Sequence, residues 1–291
     1  MTTTSHTATR AGTPRITAEP RKRRSRSWVI TVVMTVFTVI VLIPFFDIFL
    51  KALTPNGNGF VNGDSLTLDN FRVVFAQTNM LRYLMNSVIV SIVTSAVAVL
   101  IGAPAGYVIS RSRSRLVSGY SLLLFVIQSL PVIVFVVPLF IMFSSVGLVD
   151  DLPGLVIVYV SSAIPIGCWM MSSYFDTIPH SLEEAAWVDG ATLFGGFWRI
   201  ILPNSLPGVM SVAIFSFLAS WNDYLVALVF LRSDAEFTLP IGIQQFFQEN
   251  QVSWGPVMAS AVLMLAPPTI VFAVFRRYFS IGGIGGALAG T

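Results

Sequence analysis

Six apolar stretches, each long enough to cross a lipid bilayer, constrain this chain more than any other feature. A hydrocarbon core about 30 Å thick takes roughly 20 helical residues. Trp28–Leu50, Tyr83–Ser110, Tyr120–Ser144, Pro153–Tyr174, Leu206–Leu231 and Pro256–Phe275 all reach that length. In lipid every backbone N–H and C=O must find its partner inside the protein, so such runs fold as helices. Composition agrees: 11% of the residues are charged and the mean hydropathy is +0.79, whereas soluble domains carry about 25% charged residues. A soluble fold this apolar lacks the polar side chains to coat its surface. The expected fold class is an all-α integral membrane protein with six transmembrane helices. Trp28–Leu50 carries one charge, Asp47, near its end. It is too long for a signal-peptide core and lacks a small-residue cleavage site, so it is expected to be a retained span.

Charge is distributed unevenly. Arg10, Arg15, Arg21, Lys22, Arg23, Arg24 and Arg26 precede the first span, against the single acid Glu19. A basic run followed at once by a span reads as a topology anchor rather than a nucleic-acid site. With the N-terminus in the cytoplasm, Arg111, Arg113, Arg115, Arg199, Arg276 and Arg277 also fall inside, and Lys51, Arg72, Arg82 and Arg232 fall outside. This bias puts both termini in the cytoplasm. The expected organisation is a disordered basic tail at 1–27, a first span at 28–50, an extracytoplasmic loop at 51–82, a five-helix core at 83–275 and a cytoplasmic tail at 276–291. In the outer loop, TPNGNG and NGD are turn signals and SLTLDNFRVVF reads as a short surface helix. Pro44, Pro104, Pro131, Pro138, Pro165, Pro267 and Pro268 fall within the spans, where each either kinks a packed helix or breaks one that lines a pathway.

One stretch departs from the apolar pattern. SLEEAAWVDGATLFGGFWRIILP, at 181–203, lies between the fourth and fifth spans and so on the cytoplasmic side. Ser181 and Glu184 fit a capping box. Glu183 and Glu184 sit at the positive end of the helix dipole. Asp189–Gly190 reads as a stop in which glycine takes the left-handed conformation. A second helical stretch is expected from Ala191 to about Ile201, with Pro203 ending it and Asn204 or Ser205 capping the next span. An acidic helix suits a basic protein surface better than an anionic lipid leaflet.

Glu184, Ala185, Ala186, Asp189, Gly190 and Ala191, followed by Ile200, Leu202 and Pro203, resemble the E-A-A-x-x-D-G-A loop of permease subunits in ATP-binding-cassette importers. TLDNFRVVF, YLMNSVIVS, SWNDYLVAL and the ending RRYFSIGGIGGALAG are similar to the maltose-type carbohydrate-uptake branch. The resemblance runs from about residue 28 to the C-terminus. It implies that the loop at about 175–205 is a cytoplasmic coupling helix docking on an ATPase, with Glu183, Glu184, Ala185, Ala186, Asp189, Gly190 and Ala191 at the contact. It further implies a second homologous permease subunit, a dimeric cytoplasmic ATPase, an extracytoplasmic solute-binding protein and a sugar substrate, in a bacterial or archaeal cell membrane. Near its last glycine the tail has only Leu288, Ala289 and Gly290, without the basic residue common there in that family.

Trp221, Asn222, Asp223 and Tyr224 are expected about 22 Å along the fifth span. A carboxylate at depth has to face a cavity or a partner. These residues and Asn86 are candidates for the solute pathway, with an aromatic belt and helix packing as the alternative. A P-loop requires G-x-x-x-x-G-K-[ST], and neither lysine, Lys22 nor Lys51, follows one. ATP and magnesium are therefore expected on the partner ATPase, and no cofactor, metal or catalytic residue on this chain. Cys168 is the sole cysteine, and His6 and His180 are far apart. Two other readings are an ion-gradient transporter, which needs buried ionisable relays where only Asp47 and Asp223 stand out, and a membrane scaffold.

Overall fold

A computed structural model describes residues 23–57, 59, 65–247 and 252–282. Most of the N-terminal tail, the NGD turn and the end of the C-terminal tail lie outside the described residues. Helix α1 (Arg23–Ala52) starts before the expected boundary at Trp28. Arginine is a good helix former, so the basic run continues the apolar helix backwards. The stretch through Phe46 is one structural unit, and the chain from Asp47 onward is a second. Within the second unit, Asp47 is neutralised by Lys51 one turn later at 2.8 Å.

The second unit is built around α3 (Met80–Arg111), α6 (Leu152–Phe175) and α10 (Leu206–Trp221). Apolar side chains cannot drive helices together in hydrocarbon, so association depends on close packing by small residues. Ser87, Ser91, Thr94, Ser95, Ala98, Gly102, Ala103 and Gly106 supply that surface along the buried side of α3. A Cβ on Gly102 would lie 3.2 Å from the Gly167 carbonyl carbon, and one on Gly106 would lie 2.7 Å from the Cys168 oxygen. On α10, a Cβ at Gly208 would lie 2.6 Å from the Tyr174 ring.

Among the described residues, four helices are long and apolar enough to cross a membrane, and two bent helix pairs raise the number to six. The expected third span, Tyr120–Ser144, is one of these pairs. It is α4 (Arg115–Ser129) followed by α5 (Val132–Ser145), bent by 95°. Pro131 stands at the break, its missing N–H tolerated at the start of α5. The other interior prolines expected within spans lie inside helices that continue through them. The second pair is Leu193–Asn204 followed by α10, bent by 75°. The expected fifth span, Leu206–Leu231, is itself interrupted: α10 ends at Trp221, and α11 (Leu225–Phe230) starts a new helix. The Asp223 carboxylate accepts hydrogen bonds from the Val226 and Ala227 amides at 3.0 and 3.2 Å, capping α11 and favouring the interruption. The last helix, α13 (Trp254–Gly282), extends past the expected boundary at Phe275.

At the end of the unit opposite Arg111, connecting segments are tied to helices through side chains. The expected surface helix is α2 (Asp69–Gln77). Its buried Asn70 amide donates to the Ala52 and Thr54 carbonyls at 2.9 and 2.8 Å, closing the C-terminus of α1. The 231–247 segment includes α12 (Leu239–Ile243). It is held on α3 by Asn86, which donates to the Ala235 and Phe237 carbonyls, and by Ser87, which accepts from the Leu239 amide at 2.7 Å. Asp234 accepts from Tyr83, Asn79 and Gln245. The Tyr83 and Asn79 hydrogen bonds hold its carboxyl below the ordinary 3.8. Asp150, one connection away, accepts from the Arg232 and Ser233 amides. Burial pushes its carboxyl up, and these donors more than offset that.

Two predictions follow from these contacts. Gly106→Ala should destabilise the chain by about 1–3 kcal/mol through overpacking against α6. Gly119→Ala, where nothing lies within 4 Å of an added Cβ, should be neutral or stabilising by up to about 1 kcal/mol. Thermal melting in detergent compares the two, and equal shifts would contradict the close approach. The second concerns acid. A depressed folded pKa gives stability above the unfolded value that is lost as pH falls through the folded one. Hydrogen-exchange protection of 231–247 should therefore fall as pH drops below 3.8. Asp234→Asn should reduce protection already at neutral pH.

Candidate functional site

The charged stretch folds as a helix, a turn and a second helical segment. Helix α7 (His180–Val188) follows Pro179 directly, with no side-chain cap. Ser181 is already inside the first turn, so the expected capping box does not form. Proline fixes the backbone angle that starts the helix and takes the cap position instead. The C-terminal expectation holds in detail. Gly190 has φ +84°, the Gly190 amide donates to the Trp187 carbonyl, and the Ala191 amide reaches back to Ala186 at 2.9 Å. This paired arrangement closes α7 through a left-handed glycine.

Thr192 then caps α8 (Leu193–Gly196) by accepting from the Gly195 amide at 3.1 Å. A widened turn at Phe197–Ile201 follows, then α9 (Leu202–Asn204). The segment thus runs past the expected stop at Pro203. In the widened turn the Leu202 amide donates to the Phe197 carbonyl, and Pro203, which has no amide to give, sits in the first turn of α9. Ser205 precedes α10 without capping it, because its hydroxyl donates to the Ile201 carbonyl instead.

The two adjacent glutamates part company. Glu184 is exposed, as are Ala185, Val188, Asp189 and Gly190. Glu183 and Ala186 are buried, and Ala191 is half-buried. The Glu183 carboxylate accepts from Arg111 Nε at 2.7 Å and from the Tyr107 hydroxyl at 2.8 Å. Arg111 also donates to the Ile178 carbonyl, and the Tyr107 ring packs against Phe175 and Phe197. Glu183 therefore fastens α7 to the end of α3 instead of facing outward with Glu184. Residue type alone does not separate the two. Helical spacing puts Glu183 and Ala186, three apart, on one face, and the Arg111 and Tyr107 contacts make that face the inward one.

The candidates of the solute pathway fall in different places. Trp221 is buried, and its Nε1 donates to the Met264 carbonyl at 3.1 Å, so it packs α10 against α13. Asn222 is exposed and donates to the Leu218 carbonyl. The Tyr224 hydroxyl donates to Gln244. Asn86 holds the 231–247 segment. Asp223 alone of the five lines a half-open, mainly apolar cavity of about 280 Å³ between α3, the α4–α5 break, α6, α10 and the start of α11. There it accepts from the Tyr159 hydroxyl at 2.8 Å. Thr94, Ser162, Ser216 and Ser220 on that wall were not singled out from the sequence. Isolated hydroxyls in apolar helices carry no local signal of what they face. Among the described residues, no three His, Cys, Asp or Glu side chains come together as metal ligands.

The Arg111–Glu183 pair carries a prediction. Both side chains are nearly buried, at 11% and 5% exposure. Removing one partner of such a pair leaves a buried uncompensated charge, worth about 3–5 kcal/mol. Arg111→Ala and Glu183→Ala should each lower stability on that scale, measured by unfolding in detergent. Glu184→Ala should change it by less than about 0.5 kcal/mol. Equal effects of Glu183→Ala and Glu184→Ala would contradict the fastening.

Comparison with known proteins places this geometry. The model of the family described as "binding-protein-dependent transport system inner membrane component" matches residues 98–280. An inner membrane ABC transporter permease protein of Escherichia coli (strain K12), YcjP, is 32% identical over 264 residues, covering 88% of this chain and 94% of that protein. A trehalose transport system permease protein of Mycobacterium tuberculosis, SugB, is 32% identical over 274 residues, covering 92% and 99%. Among solved structures, a chain of a bacterial ABC transporter involved in the import of the acidic polysaccharide alginate shares the fold with a TM-score of 0.75. Its sequence identity is 20%, over 92% of this chain and 100% of that one. The match across both bent helix pairs and the α7 loop shows that the chain belongs to the binding-protein-dependent transport system inner membrane component family of ABC transporter permeases.

Proposed function

We propose that this chain forms half of the translocation pathway of an ATP-driven sugar importer and receives force through the α7 loop. The observation that carries the reading is the division of labour within α7. One face is fastened to α3 through Glu183, and the opposite face, with Glu184, Ala185, Val188 and Asp189, is exposed. A partner docked on the exposed face would move α7 and α3 together. Thr94, on the wall of the cavity beside Asp223, lies 17 residues up the same helix from Arg111, or about 25 Å.

The partners proposed are a second permease chain, a cytoplasmic ATPase dimer that holds ATP and magnesium, and an extracytoplasmic solute-binding protein. Family membership and the trehalose-transport relative support a sugar as the solute. Arg111, Arg113 and Arg115 lie at the α7 end of α3, and this excess of basic residues supports a cytoplasmic side for that end. The basic runs before the first span and at Arg276–Arg277 support the same side for both termini. Exposed Val188, Leu193 and Phe194 provide apolar contact beside the two acids. ATP binding by the partner then shifts the chain between inward-open and outward-open states, to the extent that the partner prefers one of them.

The test is Gly190→Pro. Proline is locked near φ −65° and cannot adopt +84°, so the turn after α7 must rebuild. The variant should insert into the membrane, while ATP-driven sugar uptake falls by about tenfold or more. The paired variant Glu184→Lys with Asp189→Lys should act in the same direction without altering the turn. Normal uptake by both variants, measured in vesicles with confirmed insertion, would overturn the coupling role.

A further inference from the structure

We infer that a groove between α3, α10 and α13 is a binding site for an anionic phospholipid, whose acyl chains lie along the groove and whose headgroup meets Arg276. The inference requires only that α13 spans the bilayer, so it goes beyond the importer reading and does not depend on the solute.

The groove begins at a change in packing. Pro268 has no amide to give the Met264 carbonyl, and the Trp221 indole donates to that carbonyl instead, at 3.1 Å. This contact ties α13 to the end of α10. Further along, α13 loosens. Gly255, Pro256, Val257, Ala259 and Ser260 are buried, and among the described residues of the helix none after Ser260 is. A half-open groove of about 580 Å³ occupies the gap, running past Pro267, Ile270, Val271 and Phe275 on α13 and Met210 and Phe217 on α10. Among the described residues, Ser95 is the one hydroxyl on its wall, and it donates to the Ser91 carbonyl at 2.7 Å. The wall therefore offers hydrocarbon contact and no free donor to a polar molecule.

Dimensions and charge select the occupant. Pro267 to Phe275 is about 12 Å of helix, most of the roughly 15 Å depth of one hydrocarbon leaflet. Spread over that length, 580 Å³ gives a cross-section of about 50 Å². A helix about 10–12 Å across takes roughly 80–110 Å² and does not fit. Hydrocarbon chains, which pack at contacts of about 4 Å, enter side by side. Arg276 follows Phe275 directly and is exposed. A charged residue at the end of a span belongs at headgroup level, so the groove ends where a lipid phosphate lies. Neither α10 nor α13 contains an acid, and no salt bridge among the described residues engages Arg276. Its charge is left for a headgroup, and basic side chains near the surface attract anionic lipid over zwitterionic.

The experiment uses the full chain with its co-purifying partners in phosphatidylcholine vesicles that carry a trace of radiolabelled phosphatidylglycerol or, in parallel, of radiolabelled phosphatidylcholine. A benzophenone amino acid is placed at Ile270, which lines the groove and is 61% exposed, or at Leu100, equally exposed but outside the groove. After ultraviolet illumination, phosphatidylglycerol adducts at Ile270 should exceed phosphatidylcholine adducts about fivefold, with near parity at Leu100. Arg276→Gln should bring the Ile270 ratio close to one. Ala96→Phe, which fills the groove from an exposed position, should cut adducts of both lipids at Ile270 and leave those at Leu100. Equal yields of the two lipids at Ile270, a ratio unchanged by Arg276→Gln, or adducts unchanged by Ala96→Phe would overturn the site. A crosslink from Ile270 to another protein chain in place of lipid would assign the groove to a protein partner and overturn it as well.

Discussion

Close backbone approach between α3 and α6 is the constraint on which the other features rest. Lipid offers helices no hydrophobic reason to associate, since tails and leucines are equally apolar. Gly102 and Gly106 on one helix and Gly167 on the other remove the side chains that would hold them apart. Dispersion contacts then accumulate over a long interface, with α10 completing the group. The serines and threonine on the same side of α3 add polarity without bulk.

The interruptions matter as much as the helices. Unpaired backbone is tolerated at membrane depth only where protein or a polar cavity receives it. Pro131 and Asp223 mark two such breaks, and both border the same cavity region, through neighbouring Gln128 and Val132 in one case and directly in the other. Asp223 has a double use. It caps α11 and, through Tyr159, ties that break to α6. A residue that looked like a pathway carboxylate is thus first a structural cap, with one oxygen to spare.

The Glu183–Arg111 pair joins the packed core to the exposed loop. A buried ion pair is a poor way to gain net stability, because desolvation offsets much of the attraction. It does fix position: the two carboxylate oxygens are held by two different donors, Arg111 and Tyr107. A lever needs such a joint, since α7 moving independently of α3 would transmit nothing.

The sequence by itself determined the membrane class, the helix starts near Tyr83, Pro153 and Pro256, and the left-handed turn at Gly190. These follow from local rules: apolar length, backbone self-satisfaction and the conformational freedom of glycine. It also carried the family, through the spacing of Glu184, Ala185, Ala186, Asp189 and Gly190. Only the tertiary structure decided that Glu183 faces inward, that Asn86 holds a connecting segment, that Trp221 packs and that Asp223 caps a new helix beside Thr94 and Ser216. Apart from the Asp223 cap itself, which is local, each of those outcomes depends on which donor or acceptor lies across the gap, on residues 43 to 151 positions away. Periodicity and propensity contain no term for such distant partners, so a polar residue in an apolar helix stays ambiguous until the fold brings its neighbour to it.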